Sequence, residues 1–225
     1  MRVQITLRII TLAAAVMAAL MATLVVPGSP AAAADEPLQI VALGDSLTAG
    51  LGLAEQDAFP AKLQSALAAK GIAVAITNAG VSGNTVSDGL ARLDWSVPPG
   101  TDAVILELGA NDALRGLDPA ITRRGLDDIL SALAKRNIPV LLCGMLAPPN
   151  LGADYGRTFN AIFPDLAKQY GVVFYPFFID GIVADRKLNQ HDGLHPTAAG
   201  VDVIVAKILP KVEELIARAR AKQRG

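Results

Sequence analysis

The sequence predicts an α/β fold in which helices cover both faces of a parallel β-sheet. Apolar runs of strand length alternate along the chain with longer segments of helical periodicity, as in β-α-β units. The apolar runs are continuous rather than alternating, which is typical of strands buried on both faces. In open sheets of this kind, sites form just past the carboxyl ends of the strands. Polar residues at those ends are therefore the first candidates for function.

Five apolar runs are interpreted as strands and five other segments as helices. The strands are expected at 38–44, 72–80, 102–112, 138–145 and 172–178. The helices are expected at 59–71, 83–94, 121–137, 155–171 and 196–222. Gly71 suits the end of the first helix, because glycine adopts the left-handed conformation that closes many helices. We expect Pro164 to interrupt or bend the fourth helix and Pro210 to kink the last one.

The N-terminal segment 1–34 has the composition of a secretory signal peptide. A basic start is followed by an uncharged, alanine-rich run over 9–26, and the small residues Ala32 and Ala34 suit a cleavage site. We expect cleavage near Ala34, so that residues 35–225 form one periplasmic or secreted domain. The alternative is an uncleaved membrane anchor, since the run is just long enough to be considered as a span.

The overall composition narrows the class of partner. The 20 basic and 21 acidic residues nearly cancel, which gives no reason to expect a nucleic-acid partner. The single cysteine excludes an internal disulfide, and two histidines are too few for a zinc site of several histidines. We expect a monomer without metal or cofactor. Membrane contact is expected only through an uncleaved signal segment or a lipid substrate.

Four polar segments follow the predicted strands, and together they contain the parts of a serine hydrolase. They contain Ser46, Gly83, Asn111, and the pair Asp192 and His195. Each segment alone is an ordinary turn or helix start. As a set they supply a hydroxyl, an imidazole that can take its proton, a carboxylate to orient the imidazole, and donors for an oxyanion.

The spacing of the acid and the base supports this interpretation. Asp192 and His195 are three residues apart, so both side chains can lie on one side of a helix-like turn. The carboxylate can then reach the imidazole Nδ1, which leaves Nε2 free to face Ser46.

Six motifs lie in a fixed order after residue 34: LGDSLTAG, NAGVSGNT, GLARL, LELGANDALRG, YGRTFN and DGLHP. With these motifs the chain resembles the SGNH (GDSL-type) hydrolases, most closely the bacterial periplasmic arylesterase, acyl-CoA thioesterase and lysophospholipase branch. The resemblance implies a flavodoxin-like, three-layer α/β/α fold with a five-stranded sheet, and ester or thioester hydrolysis without metal.

The resemblance also assigns roles to the candidate residues. It implies that Ser46 is the nucleophile, His195 the base and Asp192 the residue that orients the base. The backbone N–H groups of Ser46 and Gly83 and the side-chain amide of Asn111 form the implied oxyanion hole. Gly83 is preferred to Gly80 because it lies in the Ser-Gly-x-Thr block.

Several other residues receive a structural interpretation. Ala110 stands where close relatives often have glycine, and its methyl group could crowd the oxyanion hole. Thr48 excludes the Gly-x-Ser-x-Gly elbow of α/β-hydrolases. Cys143 is expected in the core and His191 outside the triad. Asp45 and Asp112 are expected to bind backbone amides.

Three apolar segments leave two interpretations open. Phe59, 145–150 and 176–183 belong either to the core or to a pocket for an acyl or aryl group. The predicted activity is that of a secreted esterase acting on aryl or acyl esters through an acyl-serine intermediate. The alternatives are a thioesterase or lysophospholipase with the same triad, or a non-catalytic flavodoxin-like binding domain.

Overall fold

A computed structural model describes residues 36–224 and contains one five-stranded parallel sheet. The strands are β1 (Leu38–Gly44), β2 (Val74–Gly80), β3 (Ala103–Glu107), β4 (Val140–Cys143) and β5 (Val173–Tyr175). Their order across the sheet is β2-β1-β3-β4-β5, which is the flavodoxin-like order. In the register, Gly44 at the end of β1 lies beside Gly80 and Glu107, so the carboxyl ends of the adjacent strands β2, β1 and β3 meet at one edge.

Eight α-helices connect and cover the strands of the described chain. They are α1 (Ser46–Ala49), α2 (Phe59–Ala69), α3 (Val86–Ala91), α4 (Leu93–Ser96), α5 (Ala110–Leu114), α6 (Pro119–Lys135), α7 (Ala153–Tyr170) and α8 (Ala198–Gln223). Helix α2 packs with α8, whereas α6 packs with both α3 and α7. The two groups form the outer layers, and the predicted three-layer α/β/α architecture is confirmed.

The third predicted strand ends earlier than expected. It stops at Glu107, because Gly109 adopts φ +118° and Ala110 starts α5. This early turn is what places Asn111 on a helix beside the end of β1 rather than within the sheet. Residue 110 therefore has helical backbone, and its methyl group lines a cavity.

Helix α7 is not interrupted at Pro164, since it runs through this residue, and α8 likewise runs through Pro210. A bend of α7 at Pro164 and a kink of α8 at Pro210 stay predictions. Each helix is anchored by buried side chains on both sides of its proline, such as Phe159 and Leu166 in α7. Packing of these apolar residues outweighs the ~3 kcal/mol cost of an internal proline.

The predicted signal peptide over 1–34 lies outside the described residues. Within residues 36–224, no helix is both long and apolar enough to cross a membrane.

Candidate active site

Ser46 is the first residue of α1, directly after β1. The turn that presents it is closed by Asp45, whose Oδ1 accepts a hydrogen bond from the Leu47 N–H at 3.0 Å. Gly50 ends this short helix in the left-handed conformation, and its N–H donates to the Ser46 carbonyl oxygen. Ser46 is 8% exposed, so its hydroxyl lies at the floor of a cleft rather than on the surface.

The structure brings Ser46, His195 and Asp192 into one hydrogen-bonded chain. His195 Nε2 lies 2.8 Å from Ser46 Oγ, and His195 Nδ1 lies 2.6 Å from Asp192 Oδ2. The carboxylate fixes the tautomer in which Nδ1 carries the proton and Nε2 accepts from the hydroxyl. The arrangement is that of a nucleophile, a base and a residue that orients the base.

Asp192 and His195 are held by a turn that Asp192 itself closes. Its Oδ1 accepts hydrogen bonds from the Leu194 and His195 N–H groups, at 2.9 and 3.0 Å. Gly193 adopts φ +71°, a conformation that favours glycine at this corner. Gln190 joins the turn to the segment after α1, because its Nε2 donates to Leu51 O at 2.7 Å and to Pro196 O at 2.9 Å.

These contacts keep Asp192 ionised. The two backbone donors and the imidazole lower the pKa of the Asp192 carboxyl from 3.8 to about 2. The imidazole therefore faces a negative charge at every pH at which the protein is expected to work.

The three expected oxyanion donors lie on two helices and one loop at the same edge of the sheet: Ser46 on α1, Asn111 on α5 and Gly83 on the loop after β2. Within the described chain, neither the Ser46 N–H nor the Gly83 N–H has an acceptor. Asn111 Nδ2 donates to Asp45 Oδ2 and to Asn84 O, both at 3.0 Å. Both amide hydrogens of Asn111 are thus engaged, so the side chain is tied to the serine turn and to the loop that carries Gly83.

Gly80 and Gly83 are both required, for different reasons. A Cβ atom on Gly80 would lie 2.3 Å from Ala49 N and 2.8 Å from Asp45 O, so no larger residue fits against the backbone of α1. A Cβ atom on Gly83 would make only an ordinary contact, 3.7 Å from Arg115 Nη2, but Gly83 adopts φ +83°, which favours glycine. Gly80 supports the serine turn by allowing close approach of β2, whereas the positive φ of Gly83 orients the N–H group that is expected to contribute to the oxyanion hole.

A buried carboxyl pair lies beneath the serine turn. Glu107, at the end of β3, is fully buried, and its Oε2 accepts from Thr48 Oγ1 at 2.7 Å and from the Asp45 N–H at 3.3 Å. Its Oε1 has no partner among the described residues. Burial raises the pKa of the Asp45 carboxyl to about 6, and burial together with the Asp45 charge raises that of Glu107 well above its usual value.

The sequence did not predict that Glu107 supports the serine turn. The only signal is a glutamate at the end of an otherwise apolar strand, where a buried charge is costly unless it is neutralised or paired.

Asp112 connects the starts of two helices behind the site, and the backbone amide that it binds is a distant one rather than the local one expected. Its Oδ2 accepts from the Val86 N–H at 2.9 Å and its Oδ1 from Thr122 Oγ1 at 3.0 Å. It therefore fixes the start of α3 and α6 relative to α5, which carries Asn111.

A cavity of about 530 Å³ opens beside Ser46 and His195, and it is lined mainly by apolar side chains. Residues 145–149 line it together with Phe177, Ile179 and Val183. At its mouth, four large aliphatic side chains are 45–57% exposed: Leu114, Leu146, Val183 and Leu194. Two of the three apolar segments left open above thus contribute to a pocket next to the serine.

The other singled-out residues lie where a structural role places them. Phe59 is in the core, edge-to-face with Phe178 at 4.9 Å. Cys143 is fully buried in β4, and burial raises the pKa of its thiol well above the usual value. His191 is exposed. Within residues 36–224, no group of three or more His, Cys, Asp or Glu side chains is arranged to hold a metal ion.

The comparisons with known proteins agree with this geometry. The model of the GDSL-like Lipase/Acylhydrolase family matches residues 42–203. An arylesterase of Vibrio mimicus is 36% identical over 166 residues, which are 73% of this chain and 83% of that protein. The thioesterase 1/protease 1/lysophospholipase L1 of Escherichia coli is 35% identical over 187 residues, 83% of this chain and 87% of that protein.

A solved structure matches the described fold. The crystal structure of AlinE4, an SGNH-hydrolase family esterase, superposes with a TM-score of 0.68 at 46% sequence identity, and the match covers 80% of this chain and 96% of that one. The family match over most of the chain and these relatives lead to one conclusion: the chain belongs to the GDSL-like (SGNH) family of lipases and acylhydrolases, and it is a hydrolase of ester bonds.

Proposed function

We propose that the protein is a secreted serine esterase that cleaves aryl or acyl esters through an acyl-Ser46 intermediate. The observation that carries this mechanism is the chain of hydrogen bonds from Asp192 through His195 to Ser46, at 2.6 and 2.8 Å. Ser46 Oγ attacks the ester carbonyl carbon while His195 Nε2 takes its proton. The same proton then passes to the departing alcohol or phenol oxygen, which leaves the acyl group on Ser46.

Deacylation repeats the two proton transfers with water as the nucleophile. His195 Nε2 takes a proton from water as its oxygen attacks the acyl carbon. The proton returns to Ser46 Oγ as the carboxylic acid departs. Asp192 remains ionised throughout, because its backbone donors and the imidazole hold the pKa of its carboxyl at about 2.

The oxyanion is assigned to the N–H groups of Ser46 and Gly83 and to the Asn111 amide. The amide of Asn111 donates to Asn84 O and to Asp45 Oδ2 in the resting protein. A developing oxyanion is a stronger acceptor than a backbone carbonyl, so a small rotation that exchanges Asn84 O for the oxyanion is favourable.

The substrate is proposed to be a small-molecule ester with an apolar acyl or aryl group. The cavity beside Ser46 is lined mainly by apolar side chains, and a pocket of this kind binds apolar groups by removing them from water. One relative is named an arylesterase, and another a thioesterase and lysophospholipase. A thioester or lysophospholipid substrate cleaved by the same triad is therefore the second candidate.

Secretion is the part of the proposal that rests on the sequence of 1–34. The protein recovered from the periplasmic fraction or the medium should begin at or near Asp35. N-terminal mass analysis of that fraction tests this, and a chain that keeps Met1 in the membrane pellet would show an anchor instead.

The mechanism is tested by covalent labelling with a fluorophosphonate. Ser46 Oγ displaces fluoride, so wild-type protein should gain one adduct per chain, and peptide mass analysis should place it on Ser46. Ser46→Ala should give neither adduct nor turnover while it keeps the wild-type unfolding temperature. Ser65→Ala is the matched control, because Ser65 is exposed and its hydroxyl binds only the Ala61 carbonyl oxygen. An unlabelled wild-type chain, or turnover by Ser46→Ala, would overturn the mechanism.

The substrate class is tested by turnover of a matched panel. Phenyl esters, acyl-CoAs and lysophospholipids that carry the same acyl chain differ only in the leaving group. The proposal expects the highest kcat/KM for the phenyl ester, and a preference for the acyl-CoA or the lysophospholipid would replace it by the second candidate.

A further inference from the structure

Arg92 lies at the junction of α3 and α4, and the mechanism above gives it no role. Its half-buried guanidinium donates four hydrogen bonds, and three of the acceptors lie on the segments that lead into the site. Nη2 donates to Gly44 O at 2.8 Å, Nη1 to Ala79 O at 2.9 Å, and Nε to Asn84 Oδ1 at 2.7 Å. The fourth acceptor is Ser96 Oγ, at 2.8 Å from Nη1, within α4.

The hydrogen bond from Arg92 to the Gly44 carbonyl oxygen fixes the backbone that leads to Ser46. Gly44 is the last residue of β1 and lies two residues before Ser46. Its carbonyl oxygen also accepts from the Val81 N–H at 3.1 Å, so the end of β1 and the start of the loop after β2 meet at one oxygen atom. The Arg92 guanidinium donates to the same oxygen atom, so it fixes the end of β1 relative to the loop after β2.

The second contact fixes the other side of the oxyanion hole. Asn84 directly follows Gly83, and its side-chain oxygen accepts from Arg92 Nε. The backbone carbonyl oxygen of Asn84 accepts from Asn111 Nδ2. One guanidinium therefore connects all three proposed donors: Ser46 through Gly44 and Asp45, and both Gly83 and Asn111 through Asn84.

We propose that Arg92 is the positioning residue of the oxyanion hole, which sets the spacing between the serine turn and the Gly83 loop. This inference rests on the proposed function, because it assumes that an oxyanion forms between these donors. Arginine suits the role since its planar group presents donors in several fixed directions. A lysine ammonium is a point charge on a flexible stem and cannot reproduce that fork.

The proposal predicts a loss in kcat rather than in binding. The donors must surround the transition state, and a misplacement of about 1 Å can cost ~10²-fold in rate. We expect Arg92→Ala and Arg92→Lys each to lower kcat by about 10- to 100-fold, with KM changed by less than about threefold.

Arg136→Ala is the matched control for loss of a structural arginine. Arg136 is also partly buried and also donates to loop carbonyl oxygens, those of Val97 and Pro98, but it ends α6 and contacts the segment that precedes β3. Its loss should lower the unfolding temperature without changing kcat.

Two further readouts separate positioning from stability. A boronic acid forms an anionic tetrahedral adduct with the serine, so its inhibition constant should rise in both Arg92 variants by the same factor as kcat/KM falls. Millimolar methylguanidinium should restore part of the kcat of Arg92→Ala, because it can refill the vacated site. It should restore nothing in Asn111→Ala, which keeps Arg92.

The outcomes decide the proposal as follows. A folded Arg92→Ala or Arg92→Lys with wild-type kcat overturns it, and so does a loss confined to KM or an unchanged boronate constant. If neither variant folds, Asn84→Ala decides, since it removes only the side chain that connects Arg92 to the loop, and a wild-type kcat there overturns the proposal. Failure of the proposed function is distinguishable, because wild-type protein would then not be labelled at Ser46 by the fluorophosphonate.

Discussion

Gly80→Ala should damage the site through the backbone of the nucleophile turn. The added Cβ would lie 2.3 Å from Ala49 N, 2.7 Å from Ala49 Cα and 2.8 Å from Asp45 O. Ordinary contacts begin at 3.4 Å, so α1 must move away from β2 by about 1 Å. None of the three contacts is to a flexible side chain, and the strain cannot be relieved by a rotamer change.

The size of the effect follows from that displacement. Overpacking of this kind costs about 1–3 kcal/mol of stability. A shift of about 1 Å would lengthen the 2.8 Å distance between Ser46 Oγ and His195 Nε2 beyond hydrogen-bond range. We expect kcat to fall by ~10²-fold. KM should change by less than about threefold, because most of the residues that line the apolar cavity lie outside α1.

The assay is hydrolysis of one aryl ester by purified variants, with thermal unfolding measured in parallel. Leu67→Ala is the control: Leu67 is fully buried near the end of α2, and its truncation should cost about 2–5 kcal/mol without affecting kcat. A folded Gly80→Ala with wild-type kcat would refute the conclusion that Gly80 supports the serine turn.

Three other predictions concern the site and the carboxyl pair beneath it. His195→Ala should lower kcat by at least ~10³-fold, whereas His191→Gln should cost less than about tenfold, since His191 makes no triad contact; the reverse order would require a different base. Asn111→Ala should lower kcat by ~10²–10³-fold, and a loss that falls mainly on KM would make Asn111 a binding residue instead. Burial raises the folded-state pKa of Asp45 to about 6, and burial together with the Asp45 charge raises that of Glu107 well above its usual value, so these carboxyls bind more protons in the folded protein and stability should fall as pH rises from about 4. Glu107→Gln removes one of these two groups, so its unfolding temperature should fall less between pH 4.5 and 8 than that of the wild type, and equal slopes would contradict this.

The proposed catalytic residues could be predicted from the sequence because a short local motif marks each of them. Ser46, Asn111 and His195 each lie in a short motif at a strand end or a helix start, and strand ends converge in any parallel sheet. The three-residue spacing of Asp192 and His195 likewise encodes their contact, since the carboxylate closes the turn that carries both.

The residues that support the site could not be found in this way. The role of Arg92 depends on Gly44, 48 residues away in sequence, and that of Glu107 on Thr48, 59 residues away. No local pattern encodes these contacts, because they arise only once β1, β2 and β3 lie side by side. The early end of the third strand and the continuity of α7 at Pro164 also depend on the packing of distant residues, so no local pattern predicts them.

Ser46 and His195, two members of the proposed triad, lie far apart along the chain. Ser46 follows β1 at the centre of the sheet, whereas His195 follows β5 at its edge, 149 residues later. During synthesis the serine emerges long before the imidazole that is proposed to activate it, and no partly folded chain lacking β5 can bring the two together. Hydrolytic activity should therefore appear only after the whole sheet has formed. The rate at which activity appears during refolding then measures the rate of the last folding step.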